Sequence, residues 1–230
     1  MTARDPLPTG RAKVDAVRSM FDSIAPRYDL VNRIMTFGMD RGWRRRSVAT
    51  LELPSGSLVV DVACGTGDFC RDLQSAGYRA VGIDLSAGML TEARTDAPLV
   101  QGDALKMPFA SNGVDGITCG FALRNVEDIG ALLAEFARVL RRGGRIAVLE
   151  VAEPDSRALR LGHSMYFRRI VPLIGGALSD RDAYRYLPES TAYLPGRERL
   201  LEMVDAAGFD DARSRLVALG AAQIVTGTRR

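Results

Sequence analysis

The sequence predicts an α/β domain: a doubly wound, mostly parallel sheet with an N-terminal helical cap and a C-terminal antiparallel edge hairpin. Three observations carry this expectation. Leu58, Val59, Val60 and Val62 form a nearly unbroken aliphatic run, the pattern of a parallel strand covered on both faces. The run passes straight into Gly65 and Gly67, which let the backbone turn sharply and a ligand come close. From Leu58 to Val151 strand-like and helix-like stretches then alternate, which implies parallel strands joined by right-handed crossovers.

Residues 1–11, polar and with two prolines, read as a disordered tail, and 12–230 as one domain. In the cap, 12–56, Val14, Val17, Met20, Phe21 and Ile24 recur at helical spacing and stop before Pro26. Further helices run from Tyr28 to Met35 and from Asp40 to Leu51, before Pro54 and Gly56 close the cap. The core, 57–151, has strands at 58–62, 80–84, 98–101, 114–119 and 145–151, with helices at 68–76, 87–94 and 128–141. Arg141 to Gly144 reads as a basic, glycine-rich helix end. Residues 152–196 form a lid whose apolar stretch, Leu159–Leu178, is interrupted by Pro172 and by Gly175–Gly176. Arg197–Ala207 is an amphipathic helix with Leu200, Leu201 and Val204 on one face, and 209–216 and 221–227 make the edge hairpin.

Strand ends point to a ligand. Asp61 lies near the end of the first strand, Asp84 ends the second about 20 residues after the glycines, and Asp103 follows the third. Asp84 has the spacing of a ribose-binding acid, and Asp103 could meet an adenine amino group. A dinucleotide fits poorly: Cys70 stands where a third glycine is needed, and Asp68 sits at a helix N-terminus where a pyrophosphate would dock. Acids there suit a cofactor carrying a sulfonium and an ammonium group.

Composition narrows the field. A net charge of +3 is too small to imply nucleic acid. Cys64, Cys70 and Cys119 form no C-x-x-C pair and His163 is the single histidine, so neither a metal site nor a disulfide framework is expected. With no signal peptide and no apolar run of about 18 residues, a cytoplasmic location is expected. Two arginine clusters, Arg41, Arg44, Arg45 and Arg46 around Trp43 and Arg157, Arg160, Arg168 and Arg169 in the lid, read as solvated helix faces or as binding surfaces.

The core resembles class I S-adenosylmethionine-dependent methyltransferases, which have a Rossmann-like fold. The block VRSMFDSIAPRYDLVNRIMTFGMDRGWRRR, the segment GFALRNVED, the run EFARVLRRGGRIAVLEV and the segment YRYLPES narrow the resemblance to the ubiquinone/menaquinone biosynthesis C-methyltransferases, from Val14 onward. The resemblance implies methyl transfer from S-adenosylmethionine to a ring carbon of a reduced, prenylated quinone precursor such as demethylmenaquinol. It implies that Gly65, Thr66 and Gly67 face the methionine portion, that Asp84 holds the ribose and that Leu85 belongs to the cofactor-binding set. Asp103 and Ala104 would border the adenine, Gly120 would line the cofactor beside the acceptor, and Tyr28 and Arg46 would close the cap. Asp61 completes this cofactor set. Three departures stand out: Gly120 where a serine is common, Ala122 for a glycine, and no histidine in GAAQIVTGTRR.

Arg124 is the expected partner of a phenolate, since a guanidinium stays protonated and can stabilise the anion. The competing reading is a structural salt bridge to Glu127, Asp128 or Glu153. Asn125 would fix the acceptor oxygen, and His163 and Tyr184 are weaker candidates for the base, with Tyr166 and Tyr184 packing the acceptor pocket. For Leu159–Leu178 two readings stand: a greasy entry touching an anionic membrane surface at its cytoplasmic face, or an ordinary packing helix. Another phenolic or polyketide acceptor, a non-catalytic nucleoside-binding role and a homodimer also remain open.

Overall fold

A computed structural model describes residues 9–178, 186 and 188–230. Seven strands, β1 (Leu58–Val62), β2 (Arg79–Asp84), β3 (Leu99–Gln101), β4 (Val114–Gly120), β5 (Leu140–Val151), β6 (Phe209–Val217) and β7 (Ala222–Arg229), form one sheet in the order β3-β2-β1-β4-β5-β7-β6. The first five are parallel, with Val60 opposite Val81 on one side and Ile117 on the other. β7 runs antiparallel to β5 and β6, which makes the expected edge hairpin.

Alternation along the strands builds a core on each face. Val60, Val62, Ile146 and Val148 pack against Leu132, Leu133 and Phe136 of α6 (Ile129–Val139). Val59, Ala147 and Leu149 point the other way, toward Phe69 and Leu73 of α4 (Asp68–Ser75) and Val48 of α3 (Asp40–Ala49). The central strands β1 and β4 are buried on both faces, as the aliphatic run of β1 requires.

The cap is α1 (Gly10–Ile24), a short 3₁₀ turn Ala25–Arg27, and α2 (Tyr28–Met35), followed by α3. Ile24, Ala25 and Val31 bury against Met89 of α5 (Ala87–Thr91), with Phe21 and Tyr28 beside them. This docks the cap over the C-terminal ends of the parallel strands, where a doubly wound sheet binds its ligands. The lid is α7 (Arg157–Met165), a π-helical turn Tyr166–Ile170 and α8 (Val171–Leu178), and Arg197–Ala206 forms α9. In the π turn the Val171 N–H reaches Tyr166 O one residue further back than an α-helix would. Pro172, expected to break the lid, has no N–H to give and lies in the first turn of α8.

Three expected boundaries are corrected. Gly10 and Arg11 belong to α1 and not to a tail. The helix expected over 87–94 stops at Thr91, because the chain is drawn to the glycine loop: Arg94 N–H donates to Thr66 O at 3.1 Å, and Arg71 Nη1 donates to Arg94 O at 2.7 Å. The basic turn Arg141–Gly144 is not a helix end but the start of β5. α6 ends at Val139, Leu140 pairs with Val114, and the register then jumps to Arg145 opposite Gly116. The extra residues fold into a bulge in which Gly143 has a φ of 76° and Arg141 pairs with Asp115 at 2.9 Å.

Candidate active site

The turn from β1 into α4 makes the floor of the site. Ala63, Gly65 and Gly67 all adopt left-handed backbone, with φ of 54°, 54° and 82°. The loop is gripped from the next strand: Asp84 Oδ2 accepts from Gly65 N–H and Oδ1 from Ser86 N–H, both at 2.8 Å, with the Leu85 N–H also on the carboxylate. Burial raises the Asp84 pKa, and these three N–H groups oppose the rise. A carboxylate offers about four acceptor positions, so one remains open to a further donor.

Above this floor lies a cavity lined by Gly65, Asp84, Leu85, Asp103, Ala104 and Gly120, with Tyr28 in its wall. Seven expected cofactor residues therefore converge. No neighbour lies within 4 Å of the position a Gly65 Cβ would take, which leaves room for a ligand there. At Gly120 a Cβ would come within 2.7 Å of the Phe69 ring, so the absent serine is explained by packing.

Four expected cofactor residues are placed elsewhere. Arg46 is exposed on α3 and lines neither cavity described here. Two residues away, near the opposite side of the helix, Arg44 is the buried one; it binds Asp40, Asp68 (2.9 Å) and Asp72 (3.2 Å), fastening α3 to α4. Asp68, which also pairs with Arg71, is thus spent on arginines and not free for a cofactor cation. The Thr66 hydroxyl turns away from the cavity to donate to Asp29 of α2. Gly67 caps α4, where a Cβ would lie 2.6 Å from Thr95. Asp61 lies beneath the loop, 1% exposed, accepting from Thr118 Oγ1 at 2.8 Å and contacted by Cys70 Sγ. Burial pushes its pKa up to about 8, the Thr118 bond counters this in part, and Asp84 adds to it.

The cap is latched across this cavity. Asp22 of α1 accepts from Ser86 Oγ at 2.6 Å and Gly88 N–H at 2.9 Å. Lys13 donates to Val126 O at 2.6 Å and stands 3.6 Å over the Tyr193 ring. Its burial lowers the lysine pKa.

A second cavity adjoins the first and shares Phe21, Tyr28, Phe121 and Asn125 with it. Its remaining wall is mostly apolar, with Met35, Phe37, Trp43, Val151 and Tyr166. Arg124 lines it, buried and paired with Glu150 at the end of β5. The salt-bridge partner is therefore none of the three acids expected from sequence. Glu150 was missed although it carries the signal that found Asp61 and Asp84, an acid closing a buried aliphatic strand. Asn125 Nδ2 donates to Phe121 O at 3.2 Å. Tyr166 packs the pocket as expected, donating to Met35 O at 2.6 Å with its ring 5.9 Å from Phe37. His163 falls within α7, and Tyr184 lies outside the described residues. Tyr186, two residues on, lines the cavity and was not singled out. Among the described residues no cluster of His, Cys, Asp or Glu could hold a metal ion.

The sheet with a cavity at its strand ends is the Rossmann-like fold found in S-adenosylmethionine-dependent methyltransferases. Similar solved structures include a methyltransferase from Thermotoga maritima described as a possible histamine N-methyltransferase (TM-score 0.66, 18% identity, 93% of this chain and 100% of that one). The [4+2]-cyclase SpnF is equally alike (TM-score 0.68, 16% identity, 99% of both chains), so the fold alone does not fix the chemistry. Residues 9–229 match the ubiE/COQ5 methyltransferase family, and the chain belongs to it. Its relatives include the demethylmenaquinone methyltransferases of Roseiflexus sp. strain RS-1 (46% identity, 97% of this chain and 98% of the relative) and Deinococcus radiodurans (41%, all of both), and the ubiquinone/menaquinone biosynthesis C-methyltransferase UbiE of Geobacter sulfurreducens (37%, 94% and 90%). The protein is a methyltransferase whose cofactor is S-adenosylmethionine.

Arg44→Met strands the acids around it and lowers unfolding free energy by about 3–5 kcal/mol, whereas Arg46→Met changes it by less than about 0.5 kcal/mol; urea midpoints of the two variants test this. Asp61 keeps its proton in the folded chain until about pH 8, while in the unfolded chain it ionises near the ordinary value of 3.8. Its contribution is therefore fully present below about pH 4 and is lost as pH rises toward 8. The stability of Asp61→Asn relative to wild type should climb across that window in urea titrations of the free protein; a difference independent of pH refutes the assignment.

Proposed function

We propose that this methyltransferase acts on the ring carbon of a reduced, prenylated quinone precursor, converting demethylmenaquinol to menaquinol. The observation that carries this reading is the apolar cavity joined to the cofactor cavity at Phe121 and Asn125. Its volume is about 250 Å³, whereas an apolar cavity of about 150 Å³ already admits benzene, so a fused two-ring nucleus has room. The relatives named for demethylmenaquinone favour the naphthoquinone ring.

S-adenosylmethionine supplies a methyl group already activated by its positive sulfonium sulfur. The work left to the chain is to position the acceptor and favour its ionised form. Arg124 presents a guanidinium to the cavity, and Glu150 fixes its orientation from behind. One guanidinium N–H group is committed to Glu150, and the others can stabilise the ring oxygen as it loses its proton. Tyr28 stands between the two cavities; burial pushes its pKa up to about 12, so it serves as a neutral wall and not as a base.

The reading extends to a membrane surface as the place where the prenylated acceptor is met. All ten exposed large hydrophobics among the described residues fall in three segments that wall the acceptor cavity: α2 with the turn after it, the lid, and the turn at 218–220. Phe37 is 73% exposed, Leu161 76% and Leu219 80%. Arg33, Arg157, Arg160 and Arg169 lie exposed among them, and no acid occurs between 157 and 178. Apolar side chains interleaved with arginines suit an anionic bilayer face. No helix of the described residues is long and apolar enough to cross a membrane.

Incubation with labelled S-adenosylmethionine and anaerobically reduced demethylmenaquinol should move label to the ring carbon. Arg124→Leu should cut turnover by 10²-fold or more with cofactor affinity nearly unchanged. Transfer only to a water-soluble phenol, or a loss confined to cofactor binding, counts against the reading. Wild-type protein should co-sediment with phosphatidylglycerol vesicles more than with phosphatidylcholine vesicles, and Phe37→Ser with Leu219→Ser should weaken it; absence of wild-type binding to either vesicle sinks the surface contact.

A further inference from the structure

Three buried side-chain oxygens among the described residues have no hydrogen-bond partner: Asn125 Oδ1, Glu150 Oε2 and Tyr186 Oη. All three gather at the acceptor cavity. Asn125 and Tyr186 line it, and Glu150 stands behind Arg124, which lines it too. Buried polar atoms are nearly always satisfied, so a cluster of exceptions marks a place where a ligand brings the missing partners.

Their chemistry is not the same. The Asn125 amide nitrogen is committed to Phe121 O, which leaves the side-chain oxygen as a pure acceptor. The Tyr186 hydroxyl can donate; burial pushes its pKa up to about 12, so it keeps its proton. Asn125 belongs to the wall shared with the cofactor cavity, whereas Tyr186 lines the acceptor cavity alone. A donor and an acceptor thus line one apolar chamber.

We propose that Tyr186 is a specificity-determining residue whose hydroxyl donates to one ring oxygen of the acceptor while Asn125 Oδ1 accepts a proton bond from the other. This rests on the reading of the cavity as the site of a dihydroxylated aromatic ring. A ring prepared for carbon methylation has one oxygen that gives up its proton and needs a donor. Its second oxygen keeps its proton and needs an acceptor. The pair matches that asymmetry, and a ring with one hydroxyl leaves half of it unsatisfied.

The test compares 1,4-naphthalenediol with 1-naphthol, titrated anaerobically into wild type and Tyr186→Phe, each saturated with S-adenosylhomocysteine. Because the Tyr186 hydroxyl has no partner in the free protein, its removal leaves nothing unsatisfied and the variant folds. Wild type should bind the diol about 10-fold tighter than the mono-ol. In Tyr186→Phe that preference should fall to about twofold, with S-adenosylhomocysteine affinity unchanged. An undiminished diol preference in Tyr186→Phe overturns the assignment and leaves the quinol reading intact. Failure of wild type to bind either compound overturns the quinol reading and this inference with it.

Discussion

The Asp84 carboxylate is the point on which the site hangs. It takes the N–H groups of Gly65, Leu85 and Ser86, and by doing so binds the glycine loop after β1 to the end of β2. Ser86 in turn donates to Asp22, which brings in the cap. One side chain therefore sets the distance between floor, wall and roof. A buried anion satisfied by backbone N–H groups can hold such a position, because breaking any one bond leaves charge without compensation in a poorly solvated place.

The same constraint explains the charge distribution. Asp84, Asp61 and Asp22 crowd the region beneath and beside the cavity, and burial raises the pKa of the first two. Nearby arginines are largely committed elsewhere: Arg44 to α3 and α4, Arg71 to Asp68 and Arg94 O, Arg124 to Glu150. Asp61 holds its proton below about pH 8 and adds no charge, so the carboxylates that reach the cavity are those of Asp84, Asp103 and Glu127, with Arg18 also in its lining.

Much of this was legible in the sequence, because it is written in short-range patterns. Aliphatic runs gave away the sheet, and acids at strand ends gave away Asp84 and Asp103. What escaped depends on contacts distant in sequence. Within RGWRRR the choice between Arg44 and Arg46 is a matter of helix register, decided by Asp68 and Asp72 more than 20 residues on. Glu127, Asp128 and Glu153 were the expected partners of Arg124, but β5 puts Glu150, 26 residues on, beside it. The start of β5 has no apolar period at all; Asp115 and Arg141 create the bulge. Thr66 belongs to the expected motif, yet its hydroxyl serves the cap through Asp29, a use that no motif announces.

Gly120 and Phe69 are separated by half the core in sequence, but they occupy one volume: the ring fills the space where a side chain at 120 would begin. In evolutionary terms the two positions are epistatic. A side chain at 120 and the phenyl ring at 69 in this pose exclude each other, so a serine at 120 needs the ring to move or a smaller residue at 69. The glycine and the ring are thus one packing choice made at two positions.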